Sequence, residues 1–333
     1  MTLFYGNDYC VDAGTNQCPC HLAETGECPS CSILRGEEVC RCGWAGECVY
    51  QRYLLRPLSP GRDNRLQLVR VSGYENINER AYLLRLTISD ELSHELRRPG
   101  SYVFIKPVSA PEFFFTPISV MEVENGAIWL AVEMVGPKTR VLRYPGREVL
   151  VKGPYRNGLM GLRAAESLTY GQALLLAKGI AQAPALHLGQ YLLRRGNDVT
   201  ALLWPGTVGA VFIANRLREL GAAVRLLEKS PDHGAREMAA EIAAGSYDLV
   251  ASFGPDRQHQ TVADILSRLD RRAAYVTTNN AVLTCGEGIC GSCLVPAASG
   301  RKVRTCKHQL DARELWGAGE RLGLSEIGLQ LRD

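Results

Sequence analysis

At 333 residues the chain is too long for one minimal domain and is sized for two or three modules. Its hydrophobic share of 46% and charged share of 22% place it among packed globular proteins, and a net charge of +3 over that length offers no basic run for nucleic acid. No stretch approaches the roughly 20 uninterrupted apolar residues of a membrane span, and the opening MTLFYGNDYC has neither the basic nor the apolar region of a secretory leader, so the cytoplasm is the expected compartment.

Twelve cysteines in such a chain need an explanation. Reducing cytosol keeps thiols free, and free thiolates bind metals. Eight lie between Cys10 and Cys48, four lie between Cys285 and Cys306, and the body between holds none. Metal centres appended to a scaffold give this distribution.

In chain order, residues 1–50 form a small Cys- and Gly-rich module with too few apolar side chains for a core, which predicts a fold dependent on its metal. Residues 51–65 read as a linker from their Pro, Gly and Arg content. Over 66–160 the pattern is β: LQLVRVSGY, AYLLRLTIS, SYVFIKPV, ISVMEV, AIWLAVEMV and EVLVKG are short, rich in branched and aromatic residues, and punctuated by Gly, Pro or Asn. A small antiparallel barrel is predicted there. Over 161–278 strands such as ALLLAKG, VTALLW and DLVASF alternate with helical segments such as APALHLGQYLLRRG and VADILSRL, the pattern of a doubly wound parallel sheet. Residues 279–333 carry the second cysteine group. Neither internal repeats nor low-complexity tracts interrupt this order.

The C-terminal group is the sharpest signal. CGEGICGSC places Cys285, Cys290 and Cys293 at Cys-x4-Cys-x2-Cys spacing, and Cys306 follows after twelve residues. This is the plant-type spacing for a 2Fe–2S centre. Gly286, Gly288 and Gly291 allow the close backbone approach by which N–H groups reach sulfur. Zinc favours paired Cys-x2-Cys knuckles, and only one such pair stands here.

The order of barrel, doubly wound domain and C-terminal cysteine loop resembles the ferredoxin reductase superfamily, and within it the iron–sulfur flavoproteins of the kind that serve dihydroorotate dehydrogenase as electron-transfer subunit. The likeness covers roughly residues 66–315. It implies FAD on TPIS, where Pro117, Ile118 and Ser119 match and Thr116 replaces the usual Arg, and on GPKT, where Gly136 and Thr139 match a pyrophosphate turn. Lys138 or Arg140 would then supply the missing positive charge. Gly153 opens GPYRNGL, which resembles the segment at the barrel exit, with Arg156 where Gly is usual. For NAD(P) the resemblance points to Gly179 and Ile180 in KGIAQAP, where Lys178 and Ala181 replace glycines, and to Gly254 and Pro255 in FGP, where Phe253 replaces a Cys. The family's acidic loop after the third strand of this domain has no counterpart in LEKSPDHG (227–234).

In the N-terminal module Cys10, Cys18, Cys20 and Cys28 form one group, and Cys31, Cys40, Cys42 and Cys48 a roughly similar second one. Eight thiolates suffice for two 4Fe–4S clusters, or one with spare thiols; two zinc sites, with Cys28-x2-Cys31 as a knuckle, are the alternative. His21 beside Cys20 reads as solvent-facing, His187 as a packed core residue, and Phe113, Phe114 and Phe115 as strand core, with shielding of a flavin ring as the lesser role.

The combined expectation is an iron–sulfur flavoprotein electron-transfer subunit, in which FAD, a 2Fe–2S centre and one or two 4Fe–4S clusters exchange electrons with a catalytic partner subunit or a ferredoxin-like carrier in a hetero-oligomer. No acid or base specific to a substrate is visible. A self-sufficient NAD(P)H-dependent reductase is the second reading. A zinc-bearing structural subunit on a degenerate reductase fold is the third.

Overall fold

The structure is a computed structural model that describes residues 9–42, 46–55, 66–144, 146–228 and 234–316. Most of the predicted linker (56–65), part of LEKSPDHG (229–233) and the tail 317–333 lie outside these residues.

The N-terminal module is assembled from small pieces: β1 (Tyr9–Cys10), α1 (His21–Glu24), a 3₁₀ turn (Ile33–Arg35) and α2 (Val49–Leu55). Its interior holds Cys10, Cys28 and Cys31 beside Ala13, Ala23, Leu34 and Val49, with Cys18 against them. Cysteine thus replaces the missing aliphatic core. Helix α2 occupies 51–55, which the sequence assigns to the linker. Val49 and Arg52 are buried on one face of that helix, and Tyr53 packs against the module core, so the segment VYQRYLL has a surface to fold on.

Six antiparallel strands close the barrel: β2 (Leu66–Asn76), β3 (Ala81–Thr87), β4 (Tyr102–Pro107), β5 (Thr116–Glu124), β6 (Ala127–Glu133) and β7 (Glu148–Tyr155), in the order β2-β3-β6-β5-β4-β7. Period-two burial sends Tyr82, Leu84 and Leu86 inward from β3, where Leu84 faces Leu130 and Leu86 faces Ile128 of β6. Helix α3 (Asp90–Leu96), capped by the Ser89 hydroxyl, adds Leu92 and Leu96 to this core. The short α4 (Pro137–Val141) lies between β6 and β7. The triplet Phe113–Phe115 is not strand core, contrary to the sequence expectation. It forms a 3₁₀ turn (Glu112–Phe114) before β5, and Phe113 is 71% exposed. Pro111 leads into that turn, ahead of any ladder partner.

Two residues of the predicted barrel domain belong elsewhere. β8 (Leu159–Met160) is the antiparallel edge of the next sheet, which runs β11-β10-β9-β12-β13-β8. The other five strands, β9 (Gln172–Lys178), β10 (Asp198–Trp204), β11 (Ala223–Leu226), β12 (Leu249–Phe253) and β13 (Ala274–Thr278), are parallel. Residues 173–177 of β9 are wholly buried, as a central parallel strand requires. Around the sheet lie α5 (Leu162–Ser167), α6 (Gln182–Arg194), α7 (Ala214–Glu219), α8 (Ala235–Ala244) and α9 (Asp256–Arg268). Gln190 and Arg216 both bond Glu122 of β5, at 2.7 and 2.6 Å, fixing this domain to the barrel.

The C-terminal segment adds a hairpin, β14 (Leu294–Pro296) with β15 (Lys302–Arg304), then β16 (His308–Gln309) and α10 (Ala312–Trp316). β16 pairs with β1: Tyr9 faces Gln309 and Cys10 faces His308. The two cysteine-rich regions therefore meet along one short ladder. Among the described residues no helix is long and apolar enough to cross a membrane.

Candidate functional site

The C-terminal cysteine loop is shaped from several sides. Gly286, Gly288 and Gly291 all have left-handed backbones, with φ of 68°, 77° and 74°. A Cβ at Gly286 would stand 2.5 Å from the Tyr155 ring, and one at Gly288 would stand 2.8 Å from Leu22 of the N-terminal module. Only glycine fits either place. The Ser292 hydroxyl donates to the Val282 carbonyl at 2.9 Å and bonds the Thr284 hydroxyl at 3.0 Å, fixing the loop's neck. Buried amides hold its far side. Asn157 donates to the carbonyls of Thr305 and His308, and Asn279 donates to the Thr305 carbonyl at 2.9 Å. Gln309 in turn donates to Asn157 and to the Leu159 carbonyl.

The sulfurs lie in two halves. Cys293 and Cys306 share an S–H···S contact of 3.2 Å and are buried. The contact lets one sulfur ionise early: the Cys306 hydrogen bond lowers Cys293 to about 6, while the same contact and burial hold Cys306 up. Cys290 is exposed beside the Ser292 hydroxyl at 3.1 Å. Cys285 accepts the Glu287 N–H at 3.3 Å. Among the described residues no three His, Cys, Asp or Glu side chains are gathered tightly enough to hold a metal ion as they stand. The loop nonetheless fits a sulfide-bridged cluster on two counts. Its backbone cradle is one that a Cβ would fill, and an N–H already points at a cysteine sulfur.

A buried charge group joins this loop to the N-terminal module. Lys307, fully buried, reaches Asp12 at 2.7 Å and Glu287 at 3.3 Å. Arg156 lies 3.4 Å from Asp12 and 3.2 Å from Glu95. Arg156, the departure from the expected glycine, thus anchors the N-terminal module. The Val11 N–H donates to the Lys307 carbonyl, and Arg304 pairs with Glu27 at 2.8 Å. Within the module the thiols of Cys10, Cys18, Cys20 and Cys28 act on one another electrostatically. Burial raises Cys10, Cys18 and Cys28 foremost, the last to about 12. In the second group Cys31 is buried, Cys40 and Cys42 sulfurs lie 3.3 Å apart, and Cys48 is exposed. His21 is exposed and pairs with Glu24.

The predicted flavin residues occupy one flank of the barrel. Thr116, Pro117, Ile118 and Ser119 are half-buried on β5 and face Ile105, Phe104, Val103 and Tyr102 of β4. Gly136 caps α4, and the Thr139 hydroxyl accepts the Val135 and Gly136 N–H groups, so it closes its own turn. Lys138 reaches the Phe115 carbonyl at 3.5 Å, tying that turn to the start of β5. Phe113, just before β5, and Val135, just before α4, are exposed. This half-buried strand start forms a shelf beside the turn that carries Lys138, a pairing that fits a flavin nucleotide. Gly153 lies at the barrel exit, where a Cβ would come 3.0 Å from Val103. Between shelf and cysteine loop stands an aromatic group: Tyr155 stacks on Tyr102 at 5.3 Å and meets Phe104 edge-on at 5.0 Å.

Gly179 and Ile180 follow β9, and Gly254 and Pro255 follow β12, so the four converge at the sheet's topological switch point. Residues Gly179–Ala181 form a 3₁₀ turn leading directly into α6. Gln182 is fully buried and bonds the carbonyls of Trp204 and Ala210 and the Phe212 N–H, stitching the loop after β10 to this turn. Lys178 is half-buried, its pKa lowered by burial and by Arg257.

Sequence reasoning missed Asp12, Lys307, Asn157, Asn279 and Tyr102. Asn157 lies within GPYRNGL, whereas no motif marks the other four.

The barrel, the switch-point sheet and the terminal cysteine loop define a ferredoxin reductase-like architecture, and the chain resembles that superfamily in sequence and in fold. Its relatives include the dihydroorotate dehydrogenase B (NAD(+)) electron transfer subunits of Bacillus caldolyticus and Geobacillus kaustophilus, each 28% identical over 246 residues, 71% of this chain and 92% of theirs. The fold matches the structure of the NADH-dependent reduced ferredoxin-NADP oxidoreductase with a TM-score of 0.61 at 19% identity, covering 74% of this chain and 89% of that one. An intact type IV self-sufficient cytochrome P450 monooxygenase gives a TM-score of 0.52 at 16% identity, covering 77% and 41%. No protein-family profile matches the chain.

Proposed function

We propose that this protein is the electron-transfer subunit of a flavin- and iron–sulfur-dependent oxidoreductase and works with a separate catalytic subunit. The observation that carries the reading is the glycine-cradled loop of Cys285, Cys290, Cys293 and Cys306, set between the aromatic group of the barrel and the N-terminal cysteine module. The names of its relatives as electron transfer subunits support the same reading.

In this reading Cys285, Cys290, Cys293 and Cys306 hold a 2Fe–2S centre. Thr116, Pro117, Ile118, Ser119, Gly136, Lys138, Thr139 and Gly153 shape the FAD site. The N-terminal cysteines hold one or two 4Fe–4S clusters. The bound groups would supply exchange between two-electron and one-electron chemistry. The chain's own residues position and insulate. Asn157 and Asn279 hold the backbone ahead of Cys306. Tyr102, Phe104 and Tyr155 keep water from the space between shelf and loop. Lys307 and Arg156 fix the N-terminal module against that loop. Exposed Ile289 and Cys290 at the tip leave one side of the loop open to a partner.

Quantification of iron, acid-labile sulfide and flavin on anaerobically purified protein tests this. The expected result is FAD together with more iron than one 2Fe–2S centre holds. Protein with neither flavin nor sulfide overturns it, and zinc without iron in the N-terminal module supports the structural-subunit reading instead. The convergence of Gly179, Ile180, Gly254 and Pro255 at the switch point favours one alternative, a self-sufficient NAD(P)H-dependent reductase. Bleaching of the flavin by NADH or NADPH in the isolated chain would support it.

A further inference from the structure

The two cysteine groups of the N-terminal module differ in what they touch. Segments that carry the first group meet the C-terminal loop at three points. Cys10 pairs with His308 on the β1–β16 ladder, and the Val11 N–H donates to the Lys307 carbonyl at 3.0 Å. Paired strands lie about 5.5 Å apart and two residues span at most about 7 Å, so the Cα atoms of Cys10 and Cys306 are within about 13 Å of each other. Leu22, two residues after Cys20, is buried where a Cβ at Gly288 would stand 2.8 Å from it. Glu27, beside Cys28, pairs at 2.8 Å with Arg304, two residues before Cys306.

The second group faces outward. Arg35 ties it to the first by donating to the carbonyls of Cys28 and Pro29 at 3.2 and 2.9 Å. The Arg41 N–H folds the turn between Cys40 and Cys42 back onto the Ser32 hydroxyl at 2.8 Å. Cys31 is buried at the boundary, in the same interior as Cys10 and Cys28, whereas Cys40 and Cys48 are exposed. Val39, beside Cys40, is 60% exposed.

We propose that the module is a two-step electron relay. Cys10, Cys18, Cys20 and Cys28 hold an inner centre next to the C-terminal loop, and Cys31, Cys40, Cys42 and Cys48 hold an outer centre that exchanges electrons with a one-electron carrier protein. The proposal rests on the iron–sulfur reading given above, in its two-cluster form. Electron tunnelling weakens steeply with distance, so the order of contact sets the order of transfer: outer group, inner group, C-terminal loop. Each step moves one electron and makes or breaks no bond. The carrier loses the electron that the outer centre gains, and the reverse holds for outward flow. Buried Cys10, Cys28 and Leu22 keep water from the inner step, and the exposed thiols put the outer group within a carrier's reach. The chain then has two ports, the outer group at one end and the open tip at Ile289 and Cys290 at the other.

The test is EPR of the full chain, purified anaerobically and reduced in steps, with a dysprosium chelate as a relaxation agent confined to water. In wild type the chelate is expected to speed relaxation of one 4Fe–4S signal strongly and of the other weakly. The shielded centre is the one expected to show spin coupling to the 2Fe–2S signal. Cys40→Ser combined with Cys42→Ser is expected to remove the chelate-sensitive signal and keep the coupling, and Cys20→Ser to abolish the coupling. Loss of coupling in the double variant with the shielded signal retained overturns the order. So does a wild-type chain in which the chelate-sensitive centre is the coupled one, or in which neither is coupled, a result that stands even if a variant fails to fold. A single 4Fe–4S signal in wild type overturns the relay and leaves the iron–sulfur reading standing, whereas protein with no iron–sulfur signal overturns that reading itself.

Discussion

The two cysteine-rich regions rest on different supports. Around Cys285–Cys306 the loop is held by residues that are not cysteines: amides of Asn157, Asn279 and Gln309, the Ser292 hydroxyl, a short hairpin and a buried lysine. In the N-terminal module cysteines are the interior, and the aliphatic residues beside them are few. The protein thus sets the shape of the first region, whereas the second has little except its thiols to fold around. A metal that binds such thiols contributes its binding energy directly to folding.

The largest expected effect follows from this contrast. Metal removal should abolish amide-exchange protection across 9–42, while the barrel and the parallel sheet keep theirs and the Asn157-clamped backbone at 305–308 stays partly protected. Equal protection of the N-terminal module with and without metal, read by hydrogen exchange, would break the comparison. Next in size is Asp12→Ala, which leaves Lys307 buried with one acidic partner fewer. Breaking a buried ion pair from one side costs about 3–5 kcal/mol, and chemical denaturation should register a loss of that order, with early exposure of the N-terminal module to protease. Asn157→Ala removes the amide between three partners and should cost about 2–3 kcal/mol. It should quicken iron loss from the C-terminal loop while leaving protection at 9–42 unchanged, a split that only independent supports allow.

The smallest effect separates acid damage to the scaffold from acid release of metal. His187 is buried in α6, and burial lowers its pKa to about 4. Its folded pKa lies below its unfolded value, so its contribution is complete above about pH 6.5 and is lost as pH falls. Stability should drop by up to about 1.4 kcal/mol over the first pH unit below that point. His187→Leu should flatten this part of the pH profile in thermal melts, while His259, buried and lowered to about 3, keeps its own share. An unchanged profile would assign acid sensitivity to the thiolate regions instead.

Much of this architecture is legible in the sequence because its signals are local. The period-two strands of the barrel and the apolar β9 each lie within a few residues, and each forms the element expected. The errors are also local in origin. Phe113–Phe115 looks like strand core by composition, but its backbone turns before reaching a ladder partner. QRYLL looks like the start of a linker until the module gives Arg52, with Val49 before it, a surface. The contacts that tie the site together were not legible, because Asp12 meets Lys307 across 295 residues and Asn157 meets Thr305 across 148. An isolated Asp or Lys carries no sign of a partner so remote, and the motif-like setting of Asn157 does not name its partner. Tyr102 reads as one more strand aromatic, although its buried hydroxyl has no hydrogen-bond partner among the described residues.

The pairing of β1 with β16 also bears on the order in which the protein is made. Asp12 is synthesised 295 residues before Lys307, and the strand at Tyr9–Cys10 has no ladder partner until His308 and Gln309 exist. During synthesis the N-terminal module waits with a buried-type acid uncovered and half a ladder open, while barrel and sheet fold behind it. The second cysteine segment follows both and closes them at once. Completion of the loop and docking of the first module are therefore a single late event, and a chain stalled before residue 306 would have neither.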